Sequence, residues 1–402
     1  MTPIHITGVG IVCATGRGVS SFTDHLRHGR TGVRDLKLDR NVGNRVGIAA
    51  TVPDDVPMGQ GEPNAKLCDR FSLLALMAAR DAIDQSGLER DYLHGSRTAV
   101  IIASGIGGMN TIDNNHYGYY ALGRSTDPLA IPKIMPSAAA SQVCMALGIK
   151  GPSFAISSAC SSSTQAIGLA LQLMRAGSFD RAIVGGSEAL VTPTTMRSWE
   201  TLRVLTPNLC KPFGADRNGM VIGEGAGVLV LETQESVQVR GAGIVGNVLG
   251  YGTTSDAGDL VKPDADGAAE AMRLALNDAA LKPADIGYIN AHGTGTILND
   301  QVESAAINAV FGAGSGGIPV SSTKPIHGHC IGGAGAIEAI ATLIAMNEGF
   351  APATLNTTDI DPKCDVALVK GDSSDLAAEF GLSNNFAFGG INASLVLGRA
   401  SE

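Results

Sequence analysis

Short, almost wholly apolar runs alternate with helix-period stretches along this chain, and few folds accept that pattern. Residues 4–12 (IHITGVGIV), 98–103 (TAVIIA), 153–158 (SFAISS), 181–186 (RAIVGG), 226–232, 243–251 and 286–290 (IGYIN) read as strands. Further strands are expected at 318–322, 366–370 and 391–397. Residues 71–86 and 161–176, closed by Gly87 and Gly177, read as helices, as do 267–280, 300–311 and 335–348. Strands apolar along their whole length are buried on both faces, which implies an α/β chain with helices covering its sheets. Two stretches, 1–240 and 241–402, share the pattern. No obvious repeat or low-complexity linker separates them, so they are expected to pack as one body.

Composition narrows the function. The net charge of -9 argues against a nucleic-acid binder. No apolar run reaches the ~18 residues of a membrane helix, and the N-terminus reads as a strand rather than a signal peptide. Seven scattered cysteines fit a reducing cytoplasm better than a disulfide framework. Glycine is in excess at 52 residues, crowded at 105–108, 223–227, 293–295, 328–335 and 389–390. Those are places where backbone turns sharply or approaches a ligand.

Four constellations carry chemistry. In ISSACSSS, Cys160 stands between an apolar strand and an apolar-striped helix. The positive end of the helix dipole there favours a thiolate, although an inert buried cysteine has the same signature. In NAHGTGT, His292 leaves a strand into a glycine loop, and Thr294 and Thr296 offer hydroxyls to a polar ligand. SSTKPIHGHCIGGAG places Lys324 and His329 before a glycine-rich helix start that leads to Glu338. His327-x-His329-Cys330 lacks the four spaced ligands of a structural zinc site, and no catalytic metal is expected. In SNNFAFGGIN, the glycines after Phe388 let the backbone approach a ligand and offer N–H groups to an oxyanion. One cysteine and two histidines at strand ends suggest acyl transfer through a thioester.

SSACSSS, NAHGTGT, STKPIHGHCIGGAGAIEA, NNFAFGGINASL and KPFGADRNGMVIGEGAGVLVLE, in this order, resemble the Cys-His-His β-ketoacyl-[acyl carrier protein] synthases. The resemblance implies a thiolase-like layered α-β-α-β-α fold of two similar halves, 1–240 holding the nucleophile and 241–402 both catalytic histidines. It implies a decarboxylative Claisen condensation. Cys160 would carry the acyl thioester, with His292 and His329 assisting malonyl decarboxylation. Lys324 would act through Glu338 and the histidines rather than carry the proton. The N–H groups of Cys160 and Phe388 would hold the oxyanion, and Phe388 would gate the site. Thr294, Thr296, Phe386 and Ile106 would contact the pantetheine arm or the acyl chain. Asn290, Glu338, Ser383 and Asn392 match a structural monovalent-cation set. No cofactor sits on such an enzyme; the phosphopantetheine belongs to an acidic acyl carrier protein, with Lys66, Arg70, Arg124 and Arg203 at the docking positions. A homodimer, or a heterodimer with a chain-length-factor-like subunit, is expected. Ser161–Ser163 and the Pro325, His327 and Cys330 variations point toward a polyketide or polyene pathway as much as a fatty-acid one. A non-catalytic chain-length factor would lack the nucleophile, and a coenzyme A thiolase would need a second cysteine close to Cys160.

Overall fold

The computed structural model describes residues 3–40, 43–60, 62 and 64–400. In chain order, β1 (Ile4–Cys13) leads through α1 (Arg70–Ser86) to β2 (Thr98–Ala103), α2 (Ala138–Leu147) and β3 (Ser153–Phe154). Then come α3 (Ser162–Arg175), β4 (Arg181–Ala189) and β5 (Glu224–Glu232). β6 (Gly246–Ser255), α4 (Ala265–Ala279), β7 (Ile286–Asn290), α5 (Ile297–Phe311) and β8 (Val320–Ser321) follow. The chain closes with α6 (Ala334–Glu348), β9 (Phe380–Ala387) and β10 (Ile391–Arg399).

These strands form one path, β8-β7-β9-β10-β6-β1-β5-β4-β2-β3. The path is two copies of one topology. In each copy the first strand pairs antiparallel with the fifth and the fifth antiparallel with the fourth; the fourth, second and third then run parallel. The copies join where Ile4–Ile6 pairs antiparallel with Gly246–Val248.

Each half bends away from that seam and encloses a shared helical layer. α3 and α6 pack on each other and on strands of both halves, while α1 and α2 cover the outside of the first half and α4 and α5 that of the second. The layers therefore run α-β-α-β-α. α6 shows why the central layer is so apolar. Every residue from Ala334 to Met346 is buried, so this helix has no polar face to keep wet. Three main apolar clusters fill the gaps between layers, the largest around α3, α6 and the inner sheet faces.

Several expected elements shift. β3 stops at Phe154 and β8 covers only Val320–Ser321; both lie at the ends of the sheet path. The expected strand at 366–370 is a single bridge, Leu368 to Val320, after a turn in which Cys364 N donates to the Asp361 carbonyl at 2.7 Å. β9 is a full strand across a stretch whose Ser-Asn-Asn core hides the apolar alternation. Short helices also form at Met109–His116 and Ala130–Ile134, each too short to show a buried apolar stripe.

Candidate active site

Cys160 sits in a single 3-10 turn, Ala159–Ser161, from which α3 begins at Ser162. Ala159 takes a left-handed φ of 49°, a strained conformation for a residue with a Cβ. That sharp strand-to-helix elbow presents the sulfur to the interior of the site. Ser162 Oγ accepts from Ser158 N at 2.8 Å and donates to the Ala159 carbonyl at 2.6 Å, closing the elbow from within.

His329 Nε2 lies 2.9 Å from Cys160 Sγ. The His292 ring packs edge-on against His329, with centroids 5.2 Å apart. All three side chains are buried. The ligand atoms of the trio lie within 4.8 Å of one another, a spacing that would also suit a soft divalent ion. Phe386 packs against His292 at 6.2 Å. A cleft of about 310 Å³ reaches these groups from the surface, and Thr294, Thr296, Phe386, Phe388 and Arg203 also line it. Thr294 and Thr296 share a hydrogen bond at 2.9 Å.

Lys324 and Glu338 form a fully buried ion pair behind the histidines. Glu338 Oε2 accepts from Asn385 Nδ2 at 2.6 Å, and Asn385 Oδ1 accepts from Thr164 at 2.5 Å. This chain links α6, β9 and α3. Burial and then the Lys324 charge hold both His292 and His329 well below the usual imidazole range, so both are neutral at pH 7. Burial pushes the Cys160 thiol up to about 12, outweighing the Lys324 charge that lowers it. Burial in an apolar cluster with Leu190, Met196 and Met220 thus opposes the thiolate that the helix dipole favours.

Three buried carboxylates, unnoticed in the sequence, shape the loops. Glu303 on α5 accepts from His292 N and Gly293 N, each at 2.7 Å. Asp300, one turn earlier, accepts from Gly295 N at 3.2 Å and Phe213 N at 2.7 Å. Both sit in the first two turns of the helix that follows NAHGTGT, and that spacing was the readable signal. Glu188 on β4 accepts from Ser104, Gly105 and Gly332.

The remaining expected residues divide. Phe388 lies in the three-residue turn between β9 and β10, where Gly389 and Gly390 both take left-handed φ, 85° and 68°. Its ring stacks on Trp199 at 6.2 Å. Ile106 is 41% exposed and does not line the cleft, because its glycine loop turns it outward. Arg70, expected at the docking surface, pairs its guanidinium with buried Glu224 through both Nε (2.6 Å) and Nη2 (2.5 Å). Arg203 stands at the cleft mouth; Lys66 and Arg124 are exposed but away from it. Asn290 and Ser383 share one register position on β7 and β9, and Asn290 Nδ2 donates to the Glu338 carbonyl at 3.3 Å. The Asn392 amide donates to Asp256 at 2.6 Å and to Thr254 at 3.2 Å. Cys330 lies in a different apolar cluster from Cys160, which leaves no second cysteine in the trio. His327 bonds Thr323 at 2.9 Å and packs near Phe22.

Residues 1–236 match the family described as Beta-ketoacyl synthase, N-terminal domain, and residues 245–358 match its C-terminal domain. The chain is 40% identical to Nodulation protein E of Rhizobium sp. (strain N33) over 391 residues, 97% of each chain. It is 36% identical over 400 residues to 3-oxoacyl-[acyl-carrier-protein] synthase 2 of Staphylococcus aureus (strain COL), again 97% of each. Among solved structures, "The ishigamide ketosynthase/chain length factor" superposes with a TM-score of 0.95 at 33% identity, with all of both chains covered. Domain matches spanning both halves, together with the cysteine and two histidines in one cleft, place this chain in the β-ketoacyl synthase family.

Proposed function

We propose that this chain is a 3-oxoacyl-[acyl carrier protein] synthase that elongates a fatty-acid or polyketide chain by decarboxylative condensation. The observation that carries the reading is the 2.9 Å contact between Cys160 Sγ and His329 Nε2, with His292 beside it at the end of a cleft. Cys160 attacks the thioester carbonyl of the acyl carrier, and His329 takes the thiol proton and passes it to the departing pantetheine sulfur. Malonyl-carrier protein enters next. Its carboxylate leaves as carbon dioxide, and the electron pair left behind forms an enolate. The His292 N–H, together with His329 in the tautomer that carries its proton on Nε2, holds that enolate oxygen. The carbanion attacks the acyl carbonyl, whose oxyanion the Cys160 and Phe388 N–H groups hold, and collapse expels the Cys160 thiolate, which takes up one proton from solvent. The product is a 3-oxoacyl chain on the carrier. Donors already aimed at developing charge in a dry site are worth about 3–4 kcal/mol each.

The phosphopantetheine arm arrives on the carrier, and the enzyme itself holds no cofactor in this reading. Thr294 and Thr296 are the hydroxyls set to meet the arm, and Arg203 and Lys262 are exposed cations lining the cleft. Asn290 Oδ1 and Ser383 Oγ, both buried without a partner, fit two oxygens of a monovalent-cation site beside the Glu338 carbonyl. We read residues 1–240 and 241–402 as the two halves of one body. Tyr119, Tyr120, Leu129, Ile131, Met135 and Met145 are exposed along one segment, apolar surface that supports a partner subunit. A second copy is one reading. A chain-length-factor-like partner is the other, favoured by similarity to a structure described as a ketosynthase with that factor. No helix among the described residues is long and apolar enough to cross a membrane. The free cysteines support a cytoplasmic setting.

The test is reconstitution with acyl- and malonyl-carrier protein. Cys160→Ala should lower condensation at least ~10³-fold with the melting temperature preserved. A variant that still condenses would contradict the reading.

A further inference from the structure

Glu188 is fully buried near the end of β4, and the chemistry above does not use it. Its carboxylate meets only neutral donors. Oε1 accepts from Ser104 Oγ at 2.9 Å; Oε2 accepts from Gly105 N at 2.6 Å and from Gly332 N at 3.1 Å. An anion is acceptor-only, so it satisfies all three at once. A glutamine in its place would turn an amide N–H toward one of them.

The three donors belong to segments that bear on the reacting groups. Ser104 Oγ also accepts from Gly107 N at 2.9 Å, which closes the 104–107 turn. Ser104 N donates to the Ile156 carbonyl at 3.2 Å, and Ser157 Oγ to the Gly105 carbonyl at 2.9 Å. That turn therefore braces the approach to Cys160. Gly332 lies on the other half of the chain, just past Ile331, whose φ of 41° is left-handed despite its branched Cβ. A Cβ on Gly332 would lie 2.2 Å from Gly105 N, so the two turns touch backbone to backbone. Ser157 is three residues before Cys160, and Gly332 is three residues after His329. One carboxylate thus ties together the two segments whose ends must stay 2.9 Å apart.

We propose that Glu188 is a positioning residue for the condensation, holding the Cys160 and His329 segments in register while ionised and releasing them when protonated. This rests on the functional reading above. Keeping an ionised carboxylate among uncharged donors is costly, and burial raises the Glu188 carboxyl to about 7. The other ionisable groups around it are Cys160 and His329 across the turn, Lys324 and Glu338 behind them, and Glu224 on β5, which Arg70 neutralises. The Glu188 charge itself raises the Cys160 thiol, so the two titrations are linked.

The experiment measures kcat and KM for malonyl-carrier protein between pH 6 and 8.5 with the full chain. The parent should lose kcat on the acid side with a midpoint near 7, the range into which burial brings this carboxyl. Glu188→Gln should lower kcat about tenfold at pH 8, with KM unchanged, and lose that acid limb. Ser104→Ala removes one donor from the anion and should move the midpoint upward, which keeps the proposal testable if Glu188→Gln fails to fold. An active parent whose kcat and pH profile survive Glu188→Gln, or whose midpoint stays put in Ser104→Ala, overturns this inference alone. A parent that does not condense at all overturns the functional reading instead.

Discussion

In the first half of the sheet, the loop after the third strand delivers Cys160 and α3; in the second half, the loop after the third strand delivers His329 and α6. The loop after the second strand differs as well. In the second half it carries His292 and is held by Glu303; in the first it is the Ser104–Gly108 turn, held by Glu188. The same backbone positions thus carry Cys160 on one side and His329 on the other. The comparison teaches that the duplicated topology alone does not make a site. It brings equivalent loop ends together at the seam, and the residues placed there decide the chemistry.

The largest expected effect tests the side of the comparison that has no counterpart. Glu338 in α6 forms a buried ion pair with Lys324, where the first turn of α3 offers the hydroxyls of Ser162, Ser163 and Thr164. Lys324→Met leaves Glu338 charged and unpaired, and should lower unfolding stability by about 3–5 kcal/mol in a denaturant titration. An unchanged midpoint would mean the pair is not what orders the second half's loop.

A second test asks whether the nucleophile's half really holds a neutral thiol. A thiol raised to about 12 is protonated at pH 7, and its thiolate fraction rises about tenfold for each pH unit below that value. Iodoacetamide labelling of Cys160 should therefore climb steadily from pH 7 to 9. A plateau beginning near pH 7 would show instead that the helix dipole wins over burial.

The smallest effect separates two arginines that look alike in the sequence. Arg203→Ala should raise KM for the carrier protein about two- to fivefold, less at high salt, because an exposed cation at the mouth contributes little and is screened. Arg70→Ala should leave KM alone and lower the melting temperature, since Arg70 neutralises a buried Glu224. Equal KM effects would place both at the docking surface.

These contrasts also mark how much was legible in the sequence. Apolar runs such as TAVIIA give themselves away because both faces of the strand are covered, and Cys160, His292 and His329 stand out at the ends of such runs. β9 did not, because its Ser383, Asn384 and Asn385 are buried polar residues; Asn385 reaches Glu338, and Asn384 reaches Ser394 at 2.8 Å. Glu188, Glu303 and Asp300 look like ordinary acids in a string of letters. Their roles depend on which distant N–H groups they meet. The partners of Arg70 and Asn392 were hidden for the same reason, since Glu224 and Asp256 bond them from 154 and 136 residues away.

The central claim is that Cys160 carries the acyl chain while residues of the other half manage the protons. Incubation with acyl-carrier protein, proteolysis and mass mapping tests it directly. The predicted result is a single acyl adduct on Cys160, lost in Cys160→Ala. An adduct on Cys330 or any other residue, or condensation with no adduct on Cys160, would contradict it.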